Sequence, residues 1–300
     1  MNHIKKYKIR SAIEYEILLI PALLGFVIVF LYPAIKSIIY SFTDFSVYKQ
    51  NISFIGIKNY INLFHDERLT AAIKNSIFYA VCFTILQSAF AIPLAVALDS
   101  KIRTRNILRT IFYMPCIFSA LIIGYVWSFN FSTSAFGLVN NILKDIGLGS
   151  LVHNWLGDPK IAIYSCIFVA VWQLTGNAML LYVANLQSIP HDIYESALID
   201  GANPLQAFWH ITFSFLAPAM TITTLTAMIG GLKVYERIVA LTNGGPGYAT
   251  ETLTTALMYS GFTENRYGYA SSLAVIMMLG IMVISFFQLK ILTKREDNLL

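Results

Sequence analysis

Six apolar runs, each long enough to cross a bilayer, set the terms on which this chain can fold. They cover roughly residues 17–40, 77–98, 110–131, 161–186, 211–232 and 269–289, and about 20 apolar residues in a helix span the hydrocarbon. Backbone N–H and C=O groups find no water there, so such runs fold as helices that pair their own backbone. The expectation is an all-α, polytopic membrane protein with six transmembrane helices. Composition agrees, since 57% of the 300 residues are hydrophobic and only 12% charged, against about a quarter charged in soluble domains. The first run follows Lys5, Lys6, Lys8 and Arg10, as the core of a secretion signal would. Its length, and the lack of a small-residue cleavage site before Tyr32-Pro33, read instead as a retained anchor.

Lys and Arg near the ends of the runs orient them. The N-terminal tail, the link with Lys101, Arg103, Arg105 and Arg109, and the tail with Lys290, Lys294 and Arg295 should be cytoplasmic, both termini included. Segments 41–76, 132–160 and 233–268 are longer and balanced in charge, and should face outward. These charges sit between apolar runs and form no basic face, so no nucleic-acid partner is expected. Cys82, Cys116 and Cys166 lie inside apolar runs without C-x-x-C spacing and read as small core residues. One inner segment breaks the positive-inside pattern. Residues 187–210 contain no Lys or Arg, yet carry Asp192, Glu195 and Asp200.

Within that segment Ser188 reads as a cap, Pro190 as a first-turn residue and Asp192 as a carboxylate favoured by the helix dipole. Gly201 reads as the left-handed stop, and Asn203-Pro204 with Gln206 as cap, first turn and capping-box partner of a second helix. On the first helix Ile193, Tyr194, Ala197 and Leu198 share one side, while Asp192, Glu195, Ser196 and Ile199 share the other. Surface anchors present Lys and Arg to anionic lipid. An acidic face of small residues therefore reads as a protein-docking surface.

Glu195-Ser196-Ala197, Gly201 and Ile211 resemble the E-A-A-x3-G-x9-I-x-L-P loop of permease subunits of binding-protein-dependent ABC importers. FIGIKNYINLF at 54–64, Met114-Pro115, YESALIDGA at 194–202, LTNGGPGYATETL at 241–253 and YGYASSLA at 267–274 extend the likeness over most of the chain. They are similar to the carbohydrate-uptake branch, and to the first permease of maltose-type and glycerol-phosphate-type systems. Ser196 stands for an alanine, and Phe213-Ser214 stands where Leu-Pro is usual. The resemblance implies a type I ABC importer permease fold in a bacterial cytoplasmic membrane. Residues 1–72 would supply a tail, first helix and outer loop, 73–290 a five-helix core with coupling loop 188–210, and 291–300 a cytoplasmic tail. It also implies a second related permease, two ATP-binding subunits, an extracytoplasmic solute-binding protein and a carbohydrate solute. Glu195, Ser196, Ala197, Asp200, Gly201 and Ala202 would then form the ATPase-coupling loop. The chain has no G-x-x-x-x-G-K-[ST] string, so ATP hydrolysis is assigned to another subunit and no catalytic residue, cofactor or metal is expected here.

The competing class is a secondary transporter driven by an ion gradient. Such proteins bind the coupling ion through ionisable groups at membrane depth, and runs two to six hold none between their ends. His3, His65, His153, His191 and His210 have no metal-binding spacing. For the solute path, Trp172, Gln173 and Asn177 recur at helical spacing and offer a ring face and amides to a sugar. The same amides read equally well as hydrogen bonds between helices. Thr221, Thr223, Thr224 and Thr226 read mainly as donors to their own helix. Pro93, Pro115 and Pro218 are candidate kinks, and Gly244-Gly245-Pro246-Gly247 a turn either flexible or tight. Glycerol phosphate stays open as the solute, but an anion would favour Lys or Arg in the path, and Lys233 and Arg237 sit only at the outer end of the fifth run.

The topology is checked with single cysteines in a background lacking the three native ones. Those at Asn51 and Asn141 should react with an impermeant thiol reagent from outside and one at Asn203 should not. External labelling at Asn203 refutes the six-span assignment.

Overall fold

The computed structural model describes residues 18–49, 51–100, 102–134 and 136–297, without the side chains of Arg295 and Asp297. His3, the basic residues Lys5, Lys6, Lys8 and Arg10, and Lys101 lie outside the described residues. No strand occurs among these; a single antiparallel bridge joins Thr43 and Phe54. Among the described residues, four helices are long and apolar enough to span a membrane: α1 (Leu18–Tyr40), α3 (Glu67–Asp99), α7 (Ala162–Leu186) and α13, whose apolar part is Tyr267–Lys294 of Tyr267–Asp297.

The remaining two runs are each broken. Residues 110–131 fall into α4 (Arg105–Ile117) and α5 (Ala120–Asn130), bent by 96°, and the fifth into α9 (Pro204–Phe215) and α10 (Ala217–Leu232), bent by 64°. Each was expected as one span with a proline as a candidate kink, and the bends fall beside Pro115 and Pro218. Pro115 removes a backbone donor just before the first break, where Phe118 and Ser119 turn extended and the Ser119 hydroxyl accepts from the Ile122 amide at 3.3 Å. Pro218 stands in the first turn of α10. Pro93, by contrast, lies within an unbroken α3. That helix also starts about ten residues before the apolar run, because Asp66 caps it by accepting from the Arg68 amide at 2.9 Å.

The chain divides into two compact units. The first comprises Met1–His65 with Leu257–Ile276. Its α1 is apolar all round and has no buried residue, as expected of a helix whose solvent is lipid. Beyond α1 the two motifs at 54–64 and 267–274 meet on one short stretch. From α2 (Lys58–Phe64), the buried Asn59 amide donates to the carbonyls of Ser41 at 2.9 Å and Thr43 at 2.8 Å, and the Tyr60 phenol donates to the Ser41 hydroxyl at 2.7 Å. From the start of α13, the Gly268 amide donates to the Phe45 carbonyl at 2.8 Å. A Cβ at Gly268 would lie 2.2 Å from the Thr43 oxygen, so only glycine admits this approach. In the same stretch the Lys49 ammonium and the Ser53 amide hold the Asp44 carboxyl below its usual range.

The second unit, Asp66–Ala256 with Met277–Leu300, is built around α7. That helix packs against α3, α4, α5, α10 and α11 (Glu236–Leu241). Its buried residues enter both apolar cores: one gathers Tyr79, Phe83, Ile123, Cys166 and Ile238, the other Ile92, Met179, Tyr182, Val183 and Leu216. Lipid is as apolar as leucine, so helices associate by close approach at small residues. A Cβ at Gly176 of α7 would lie 2.0 Å from the Phe112 carbonyl oxygen of α4, and one at Gly231 of α10 would lie 2.7 Å from the Ala80 Cα of α3. The three cysteines are unbridged.

Gly176→Val should lower the thermal midpoint of the detergent-purified protein, at a cost of about 3 kcal/mol or more, since backbone cannot yield as a side chain does. Gly280→Val, where nothing lies within 4 Å, should stay close to wild type in the same melting experiment.

Candidate functional site

The acidic segment folds as its residues indicate, with three corrections. Helix α8 (His191–Ile199) begins after Pro190, which takes the cap position. The Ser188 hydroxyl does not cap it; it donates back to the Asn185 carbonyl at 2.7 Å, finishing α7. At the far end Gly201 has φ +76°, with amide bonds from Gly201 to Leu198 at 3.1 Å and from Ala202 to Ala197 at 2.9 Å. This is a Schellman stop, which requires the left-handed residue. One residue later Asn203 and Gln206 form a reciprocal capping box with Pro204 in the first turn of α9. A 3.0 Å hydrogen bond between the Tyr194 and Thr212 hydroxyls ties α8 to α9. The turn is therefore held at one end by backbone bonds and at the other by side chains bonded to backbone.

Ile193, Tyr194 and Ala197 form the half-buried strip of α8, while Asp192, Glu195, Ser196 and Asp200 are exposed and Ala202 half-buried. Leu198, expected on the inward side, is 75% exposed, and Ile199 and Leu205 are 87% and 67% exposed. Leu198 lies about a quarter turn round from the middle of that strip, too far for so short a helix to seat it. Among the described residues, Asp192, Glu195 and Asp200 have no ion-pair partner. Carboxylates and bare leucine and isoleucine thus stand together on one rigid corner, a surface suited to a protein partner.

A cavity of about 410 Å³ opens within the second unit. Tyr79, Phe83 and Gln87 of α3, Asn177 and Leu181 of α7, Thr223 and Thr226 of α10, and Lys233, Tyr235, Glu236 and Arg237 beyond it are among its walls. Of the three stripe residues only Asn177 lines it. Gln173 lies one turn away and is 2% exposed; its amide donates to the Phe118 carbonyl at 2.9 Å, and its oxygen accepts from Arg237 at 2.7 Å. Trp172 points elsewhere, edge-on to Trp127 at 5.4 Å. Thr221, Thr223, Thr224 and Thr226 donate to carbonyls four residues back, at 2.6–3.1 Å.

Arg237 corrects the sequence reading. It is not an outer-end residue: α11 carries it into the bundle, where it is 7% exposed and donates to Gln173 and, at 3.2 Å, to the Tyr79 phenol. Sequence reasoning misplaced it because it lies five residues past the apolar run, beside the charged Glu236; the one available signal was the apolar Ile238–Leu241 that follows it.

The glycine-rich segment resolves as tight. Asn243, Gly244 and Gly247 all have positive φ, between 51° and 85°. Behind them Glu251, 2% exposed, accepts from Arg68 at 2.8 and 3.1 Å and from the Thr255 hydroxyl at 3.0 Å. Asn75 donates to the Tyr248 and Glu251 carbonyls at 2.9 and 3.0 Å. The φ of +85° is what favours glycine at Gly244, and a Cβ there would also push on the Glu251 carboxylate, 2.3 Å away.

Residues 87–298 match the family model described as binding-protein-dependent transport system inner membrane component. The chain is 36% identical over 280 residues to the probable ABC transporter permease protein YurN of Bacillus subtilis, covering 91% of this chain and 93% of that one. It is 33% identical over 287 residues to the probable starch degradation products transport system permease protein AmyD of Thermoanaerobacterium thermosulfurigenes, with 96% of each chain covered. Among solved structures, it superposes on a chain of a bacterial ABC transporter involved in import of the acidic polysaccharide alginate with a TM-score of 0.83. The identity there is 26%, over 97% of this chain and 99% of that one.

The Arg68–Glu251 pair gives a stability test. Arg68→Met leaves a buried carboxylate without its cation and should cost about 3–5 kcal/mol, read as a lowered thermal midpoint in detergent. The double variant Arg68→Met with Glu251→Leu should recover a large part of that loss, because no lone charge then remains inside.

Proposed function

The chain belongs to the binding-protein-dependent transport system inner membrane component family, and from that premise we propose that it forms half of the translocation pathway of an ATP-driven importer for a sugar or oligosaccharide. Its relatives' names support the solute class: starch degradation products, multiple sugars, and trehalose and maltose. In this reading a second, related permease supplies the other half. Two ATP-binding subunits work from the cytoplasmic side and an extracytoplasmic solute-binding protein delivers the solute; a solved relative is described in complex with a periplasmic protein bound to an alginate pentasaccharide. Residues 73–290 act as the transport core, and both termini face the cytoplasm of a bacterial cell.

The observation that carries the coupling role is the α8–α9 corner. Its ends are fixed by the Schellman stop and the capping box, while its carboxylates are exposed and, among the described residues, free of ion pairs. A rigid projection of this kind transmits displacement, since a push on α8 moves α9 through a turn with little slack. Glu195 makes a charge-assisted contact with a basic ATPase cleft, and Ser196, Ala197 and Ala202 are small enough for close approach. Asp200 adds to the local negative potential and Gly201 sets the turn. In the solute path, Asn177 meets the sugar from the cavity wall. Gln173 acts as a strut between helices, and Trp172 packs against the aromatic cluster on α5.

Co-purification after mild detergent extraction tests the assembly: an ATPase and a second permease are expected, and a single-chain transporter working from an ion gradient contradicts it. Glu195→Lys should then reduce both uptake and solute-stimulated ATP hydrolysis by roughly tenfold, with membrane insertion intact. Gly201→Val should be comparably harmful through the backbone, as a β-branched residue is disfavoured at positive φ. Wild-type hydrolysis and uptake in Glu195→Lys removes that residue from the interface.

A further inference from the structure

Arg237 is a cation buried where neutral groups would serve the structure as well. Its guanidinium has five N–H donors, and two have acceptors, the Gln173 amide oxygen at 2.7 Å and the Tyr79 phenol oxygen at 3.2 Å. Both acceptors are neutral. Its Nε is buried and has no hydrogen-bond partner, and among the described residues no carboxylate pairs with the side chain. A buried, unpaired charge is unfavourable unless an opposite charge meets it. Joining Tyr79 to Gln173 needs only hydrogen bonds, which a neutral amide could make.

The residue also lines the cavity, and its neighbours there suit a sugar. Tyr79, Phe83 and Tyr235 bring aromatic rings, Asn177 and Thr226 bring polar groups, and the volume of about 410 Å³ falls in the range of about 300–1,000 Å³ usual for small-molecule sites. Lys233 and Glu236 stand on the wall as well, but both are exposed, so water screens them more strongly than Arg237. The planar fork of a guanidinium matches a carboxylate or phosphate two bonds at a time, and that match is strongest where water is scarce.

We infer that this cavity takes an anionic saccharide, one bearing a carboxylate or a phosphate, and that Arg237 is the residue selecting the charge. The inference rests on the proposed role as a sugar-importer permease and narrows its solute class. It also gives Gln173 a second duty, since its side-chain amide oxygen orients the guanidinium that the solute meets.

The experiment uses the purified permease–ATPase complex in detergent, titrated by intrinsic fluorescence with two matched pairs: digalacturonate against neutral galactobiose, and glucose 6-phosphate against glucose. At least one anionic probe should bind about tenfold or more tightly than its neutral counterpart, with the preference shrinking as salt rises. Whichever pair shows the preference identifies the anion. Arg237→Gln should abolish the preference, and Arg237→Lys, which keeps the charge but not the fork, should retain part of it. Equal or tighter binding of both neutral sugars to the wild-type complex overturns the inference without needing any variant. So does Arg237→Gln with a lowered thermal midpoint and the preference intact, which is how a purely structural arginine behaves. Failure of the complex to assemble would count against the importer reading itself, whereas an assembled, solute-stimulated complex without charge preference counts only against this one.

Discussion

A helix broken inside a membrane leaves carbonyls and amides that no water can reach, and this chain breaks two of its apolar runs. The α4–α5 break is repaired from outside the run. Phe118 contributes a carbonyl that has left the helical ladder, and the Gln173 amide of α7 donates to it at 2.9 Å. On the other side of the same contact the Cys116 thiol donates to the Gln173 carbonyl at 2.8 Å, and Gly176 lets the α4 backbone come close enough for both. The remaining side of the Gln173 amide accepts from Arg237. One uncharged side chain thus holds the bend of α4–α5 and seats the buried cation of α11 on the bundle's central helix.

The α4–α5 break and the α8–α9 corner follow one rule: where the chain must turn, a side chain or a glycine takes over from the helix. Ser119 starts α5, Gly201 ends α8, and Asn203 with Gln206 starts α9. The glycine-rich segment after α11 obeys it too, with Glu251, Arg68 and Asn75 closing around three positive-φ residues.

Much of this was legible in the amino-acid sequence, and for identifiable reasons. Run length alone located α1, α3, α7 and α13, because the bilayer fixes how many apolar residues a span needs. The Gly201 stop and the Asn203–Gln206 box were legible because both are local: every bond lies within a few residues of the residue that specifies it. The acidic face at Asp192, Glu195 and Ser196 followed from helical period. Period overreached at Leu198, since a nine-residue helix has no neighbour to cover its flank.

Tertiary structure decided whatever depended on a partner far along the chain. Whether Gln173 faced a cavity or a neighbouring helix turned on the location of Phe118 and Arg237, 55 and 64 residues away. Neither distance is written in a periodicity. Arg237 shows the limit most clearly: hydropathy counts residues along the chain and places it outside the fifth run, whereas α11 folds back against α5 and carries it into the core. The sequence by itself determined that the chain crosses a membrane as helices and where its tightest turns fall, because those follow from desolvation and from bonds within a few residues. Only the tertiary structure decided which polar groups face the cavity and which face each other, because that choice is made by helices meeting side by side.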